Sequence, residues 1–109
     1  MTIYKPGQIV LVTFPFTTGS TAKNRPALVL VDHGDNDFLL ARITTQPHST
    51  ATDCPIQDWR GAGLLAPSIA RLCKLATLDK SLVKRVIGAL QPGDKLAAKA
   101  MLQSLFNSW

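Results

Sequence analysis

Lys23-Asn24-Arg25-Pro26-Ala27-Leu28-Val29-Leu30, with Gln8-Ile9-Val10-Leu11-Val12-Thr13-Phe14 before it and Ala41-Arg42-Ile43-Thr44-Thr45-Gln46 after it, decides how this 109-residue chain is read. Ala27 to Val31 is an unbroken apolar run, bounded by Gly/Ser/Thr-rich sequence on one side and Asp/Gly/Asn on the other. That texture predicts a buried strand. Pro26 cannot donate to a ladder and belongs at a strand's first residue or at an edge, while the residue before it is driven into extended backbone. Arg25 is therefore expected where a loop becomes a rigid sheet, with a fixed backbone and a free head group. An arginine so placed either covers the sheet edge with its stem and pairs with a nearby aspartate, or presents its guanidinium to a ligand.

Composition narrows the class. With 46% hydrophobic and 17% charged residues, the chain has an ordinary globular make-up and enough length for one core, so a single domain over residues 1–109 is expected. A net charge of +5 and a pI near 9.6 suit a polyanionic partner without naming one. All seven acids are Asp and none is Glu, which tilts the chain towards strands and loops over helices. No apolar run approaches the length of a membrane span. Cys54 and Cys73 lie in strand-like runs without CxxC spacing, and no hydrophobic signal precedes them, so a cytoplasmic protein with reduced thiols is expected. His33 and His48 lack metal-ligand spacing. Neither a metal nor a cofactor is expected.

In chain order, Lys5-Pro6-Gly7 is a turn signal before a first strand at Ile9 to Phe14. Phe16 to Asn24 reads as a polar loop too long for a tight hairpin, and such loops often carry function. His33-Gly34-Asp35-Asn36-Asp37 is a dense turn returning the chain into a third strand from Phe38, closed by Thr44, Thr45 and Gln46. A second polar loop spans Pro47 to Thr52, a further strand Asp53 to Gln57, and a turn Trp59 to Gly63. From Ser68 to Ala76 the pattern alternates, with Ile69, Arg71, Cys73 and Leu75 expected on one face. Asp79 is placed to cap a short helical turn over Lys80 to Lys84, and Arg85 to Leu90 reads as the last strand. Pro92-Gly93-Asp94 then opens a helix whose Ala98, Met101, Leu102 and Leu105 share one face, with Lys95, Lys99 and Gln103 opposite. Short strands at regular spacing plus one C-terminal helix predict a mainly β fold, a small barrel.

These residues also carry a family resemblance. Gly7-Gln8-Ile9-Val10, Phe14-Pro15, Arg25-Pro26, Ile43-Thr44-Thr45-Gln46, Ala62-Gly63-Leu64, Pro67-Ser68, Thr77-Leu78-Asp79-Lys80 and Ile87-Gly88, in this order and spacing, resemble the PemK/MazF toxins of bacterial toxin–antitoxin modules. The resemblance implies an SH3-like small β-barrel with appended helices, a homodimer, an antitoxin protein as partner, and metal-independent cleavage of single-stranded RNA. Position by position, it assigns the family's strand-start arginine to Arg25 and the threonine after the third strand to Thr44, with Thr45 at the small residue beside it. Arg71 matches a further arginine implicated in catalysis in part of the family, but the aspartate that follows two positions later there is Cys73 here.

Metal-free RNA cleavage uses the substrate's own 2'-hydroxyl as nucleophile, so the protein must help remove its proton, stabilise the phosphorane and assist the departing 5'-oxygen. A guanidinium suits the second task, because it presents a planar fork of donors to phosphate oxygens and stays charged. Thr44 and Thr45 can hydrogen-bond the phosphate or orient the hydroxyl. For the proton, His48 is the nearby side chain whose type titrates near neutrality; the plainer reading is a solvent-exposed loop histidine without a role. Phe16 and Trp59 are placed at loop edges where unstacked bases could rest, or are core aromatics at strand ends. Lys23, Gln46 and Arg60 complete the expected RNA-binding set, and Arg42, Lys74, Lys84 and Arg85 are further cations that either track a phosphate backbone or form a solvated face. Two other functions stay open at this point: a non-catalytic barrel that binds a protein target such as DNA gyrase, and a degenerate member that binds RNA or antitoxin without cutting.

Overall fold

In the computed structural model, which describes residues 2–14 and 23–109, strand runs with alternating or continuous apolar residues pair into one antiparallel sheet. Its strands are β1 (Gln8–Phe14), β2 (Lys23–Val31), β3 (Asp37–Thr44), β4 (Asp53–Ile56), β5 (Ser68–Asp79) and β6 (Val83–Ala89), in the order β4-β5-β3-β2-β1-β6. A 3-10 turn at Lys80–Leu82 joins β5 to β6, and the helix α1 (Pro92–Leu105) follows. The mainly β fold with a short helical turn and one C-terminal helix is as the sequence predicts.

Both faces of the sheet are buried. On one, Ile9, Leu28, Ala41, Ile43, Cys54, Ile56, Ala70 and Leu72 form a core on which Met101, Leu102 and Leu105 of α1 pack around the buried Ala98. This is the helix stripe read from the 3.6-residue period. On the other, Val10, Val12, Phe14, Ala27, Val29, Phe38, Leu40 and Leu78 form a second cluster, with Tyr4, Leu82 and Val83 against it. Asp94, in the first turn of α1, is buried and accepts the Gln57 and Asp58 amides at 2.9 and 2.8 Å, so the helix start is locked to the end of β4.

Among the described residues the sheet is not hydrogen-bonded all the way round; the turn after its edge strand β4 packs backbone to backbone on the other edge strand, β6. The turn after β4 lays Ala62-Gly63 against Ile87-Gly88 of β6, where a methyl group on Gly88 would collide with the Ala62 carbonyl and one on Gly63 would lie 2.6 Å from the Ile87 oxygen. Gly63 also has φ +91°, which a larger residue adopts only with strain. Two motifs distant in sequence are thus one contact.

Several boundaries differ from expectation, each for a physical reason. β2 begins at Lys23, so Pro26 lies within a strand; its ladder to β3 starts at Ala27↔Arg42, however, and at Pro26 the strand is paired to β1 alone, through Leu11. A missing donor is tolerated there as at an edge. Thr45 and Gln46 form a bend outside β3, because the Thr44 hydroxyl accepts the Gln46 amide at 3.1 Å in a turn that competes with the ladder. The alternation expected over Ser68 to Ala76 is broken: Ala41 faces Leu75 but Arg42 faces Arg71, leaving Leu72 to Lys74 as a bulge that bends β5. Ile69 and Arg71 keep their face, Cys73 lies within the bulge, and Leu75, opposite Ala41, stands on the other face. Finally, the helical turn after Asp79 is shorter than expected, ending at Leu82, with Asp79 accepting the Ser81 amide at 2.8 Å.

Candidate functional site

Cross-strand register gathers the cations. Residues directly opposite in an antiparallel pair share a face, and the row Ala27↔Arg42↔Arg71↔Asp53 crosses β2, β3, β5 and β4. Two residues further along on that face stand Arg25 on β2 and Thr44 on β3, with Ile69 of β5 opposite Thr44. Three guanidinium groups, one carboxylate and one hydroxyl therefore occupy the end of the face whose remainder is the Val10–Phe14–Leu40 cluster. Like charges directly opposite on a sheet are destabilising, so Arg42 beside Arg71 is an arrangement that stability alone does not favour. It suits an anion.

Each cation is held differently. Arg25 is half-buried, and its Nε is fully buried with no hydrogen-bond partner among the described residues. Arg42 is exposed and lies 6.0 Å over the Phe14 ring, a loose cation–π contact. Arg71 donates through Nε to Asp53 Oδ1 at 2.9 Å, with its side chain 22% exposed and that of Asp53 1%. The other oxygen of Asp53 accepts the Thr50 amide at 3.0 Å and the Thr50 hydroxyl at 2.7 Å. The Arg71 hydrogen bond, followed by that of the Thr50 hydroxyl, outweighs burial and holds the Asp53 carboxyl down at about 2. Such a group is ionised at any working pH and is a poor proton acceptor.

Beside Thr44 opens a groove of about 360 Å³, lined by Thr45, Pro47, Pro55, Ile56, Gln57, Trp59, Pro67, Ser68 and Ile69. Thr45 is exposed and borders it, and Trp59 forms one wall while also packing on the core. Arg60 stacks on the Trp59 ring at 4.8 Å. Gln46 is exposed and His48 half-buried in the loop that follows β3. Lys23 is exposed at the start of β2, opposite Phe14, and Phe16 lies outside the described residues.

Sequence reasoning missed Asp53 and left Arg42 among scattered cations. The signal for Asp53 was there: aspartate is depleted in strands and is almost never buried unless paired, yet it opens one here. Cys73 is exposed on the bulge, whereas Cys54 is buried, its thiol pushed up by burial and by Asp94. Among the described residues, no three His, Cys, Asp or Glu side chains gather as a metal site, and no helix is long and apolar enough to cross a membrane.

Comparison with known proteins gives this geometry a context. The family model for PemK-like, MazF-like toxins of type II toxin–antitoxin systems matches residues 5–106. The chain belongs to that family. No curated protein matches the sequence significantly. Among solved structures, this PemK/MazF-family chain is similar to the toxin MazF-mt6 of Mycobacterium tuberculosis, with 23% identity, 94% of this chain and 97% of that one covered, and a TM-score of 0.75. It is also similar to a mycobacterial endoribonuclease solved with its cognate antitoxin (15% identity, 94% and 93% covered, TM-score 0.76). A third likeness is to the MazE–MazF complex of Deinococcus radiodurans (16% identity, 97% and 98% covered, TM-score 0.76). At these identities the likeness is one of fold.

Proposed function

We propose that this PemK/MazF-family toxin is a metal-independent endoribonuclease acting on single-stranded RNA. The observation that carries the reading is the row of Arg25, Arg42 and Arg71 beside Thr44 at one end of a sheet face, next to a groove walled by Trp59 and prolines. A phosphodiester seated on that row meets charge-assisted donors from several strands, partly desolvated at Arg25 and anchored at Arg71, and desolvated, fixed donors stabilise a developing phosphorane most. Arg25 and Arg71 take the added negative charge of the phosphorane and of the departing 5'-oxygen. Thr44 hydrogen-bonds the phosphate or orients the 2'-hydroxyl, with Thr45 sharing that task. His48 is the one ionisable side chain between Gln46 and Asp53 and is the group assigned to the 2'-hydroxyl proton; Asp53 is too acidic for it.

Bases flanking the cleaved bond are assigned to the groove, stacking on Trp59, with Gln46 and Arg60 at its margin and Lys23 extending the path. The endoribonuclease solved with its cognate antitoxin supports a protein inhibitor for this chain too, and the cationic row suits an acidic, disordered antitoxin segment that occupies it in place of RNA. A homodimer accounts for Leu75 and Val86 on strands, Leu96 on α1 and Phe106 just after it, which are exposed on the monomer. Cys73 at the position of the family's acid favours one rival, a member that binds RNA without cutting it. The test is cleavage of a long single-stranded RNA in EDTA by the wild type and by Arg25→Ala, with the new ends mapped. Cutting by the wild type alone, leaving cyclic phosphate and 5'-hydroxyl ends, is the expected result; bound but intact RNA would establish the rival.

A further inference from the structure

We infer that Asp53 is a positioning residue for the cleavage reaction: it fixes Arg71 through Nε so that the guanidinium's terminal nitrogens face the scissile phosphate. The inference rests on the ribonuclease reading above. Arg71 uses only Nε within the described residues, and its terminal amino groups reach solvent, since none is buried without a partner there. A guanidinium held by Nε keeps a fork of terminal donors for phosphate oxygens.

Asp53 in turn is held from both sides. It stands directly opposite Arg71 across β4 and β5, and its second oxygen takes both donors of Thr50, whose carbonyl accepts the Asp53 amide at 3.1 Å. The Thr52 carbonyl accepts the Leu72 amide at 2.9 Å, tying the same loop to β5 beside Arg71. One buried carboxylate therefore sets the separation between Arg71 and the loop that continues from Thr44 and Thr45. The family's acid position is Cys73 in this chain, out on the bulge, and Asp53 is the carboxylate that meets Arg71. Its part is to orient and not to take a proton, because both oxygens are already occupied.

The test is a double-mutant cycle in steady-state cleavage with Asp53→Asn, Arg71→Ala and the pair, read as kcat and KM for each folded variant. Asparagine keeps the shape and an acceptor for Arg71 but opposes the Thr50 amide with its own NH2. We expect kcat to fall about tenfold to a hundredfold with KM little changed, and Asp53→Asn to add nothing once Arg71 is alanine. Thr50→Val, which loosens the clamp without touching either charge, serves if Asp53→Asn does not fold, with a smaller loss that also vanishes in the Arg71→Ala background. A wild-type kcat in Asp53→Asn and Thr50→Val alike, with only the melting temperature lowered, reduces Asp53 to a structural residue and overturns the inference. So does a loss that multiplies with that of Arg71→Ala, since Asp53 would then act on the substrate directly. A wild type that cuts no RNA overturns the ribonuclease reading and this inference together, which separates the two failures.

Discussion

Among the described residues two aspartates with buried side chains each pair with a cation, one at each end of the sheet, and the pairs are built to opposite ends. Asp32, in the β2–β3 turn, meets Lys80 Nζ at 2.8 Å, with side chains 0% and 8% exposed. Lys80 also donates to the Thr2 carbonyl, and Asp32 accepts the Tyr4 and Gly34 amides, so both charges are spent on tying the N-terminal segment, the turn and the β5–β6 connection together. Asp53 and Arg71 are as close, but the cation is an arginine that gives only Nε to its partner and keeps its other donors. The Lys80 ammonium meets two acceptors and its side chain is almost fully covered, whereas the Arg71 guanidinium cannot be spent on one carboxylate oxygen. Burial of a pair thus marks a site only when one partner has bonding capacity left over and faces a surface.

The comparison can be broken most decisively at Arg71. Arg71→Ala is expected to lower kcat about a hundredfold or more, whereas Lys80→Met should leave kcat per folded molecule unchanged; equal losses would erase the distinction. Stability should rank the other way. Lys80→Met leaves the enclosed Asp32 carboxylate without its cation and is expected to lower Tm by roughly 10 °C, more than Arg71→Ala, which reopens Asp53 to water; calorimetry on both variants decides it.

Acid makes the two pairs alike again. Burial pushes the Asp32 carboxyl up, but Lys80 and the Tyr4 and Gly34 amides outweigh it, and like Asp53 it is held at about 2 against an ordinary 3.8. A depressed folded-state pKa contributes stability that is present above the unfolded value and is lost as pH falls through the folded one. Unfolding free energy should therefore drop between about pH 4 and pH 2, and Asp32→Asn should flatten part of that slope; an unchanged slope would mean that the pair does not persist in solution. The smallest expected effect is a binding one. Inorganic phosphate titrated into the protein should shift the side-chain NMR resonances of Arg71 and leave the Lys80 ammonium unmoved, and a shift at both or at neither would contradict the open-versus-spent contrast.

How far the sequence reaches is visible residue by residue. The period-3.6 stripe of Ala98, Met101, Leu102 and Leu105 packs as read, because a helix face is a local property of spacing. The apolar run after Pro26 is a strand, although Pro26 sits inside it, because whether a strand has one neighbour or two at a given residue is not local. The alternation through Ser68 to Ala76 misassigns Leu75, since a bulge resets the period and nothing in the run announces it. Arg25, Thr44 and Arg71 were legible as candidates through the resemblance, and the register sets them on one face; Arg42 and Asp53 were not, since each gains its meaning from the residue opposite.

By itself, then, the sequence determined the element types, the apolar runs that must be buried, the cationic balance and, through an ordered set of motifs, the family. Those are properties of neighbouring residues and of composition, which the chain carries into any fold. Tertiary structure alone decided that Asp53 meets Arg71 across 18 residues of chain, that Gly63 and Gly88 bring the two sheet edges into contact, and that Lys80 is spent while Arg71 is not. Strand register and bulges fix these, and register is set by the whole sheet packing both its faces at once.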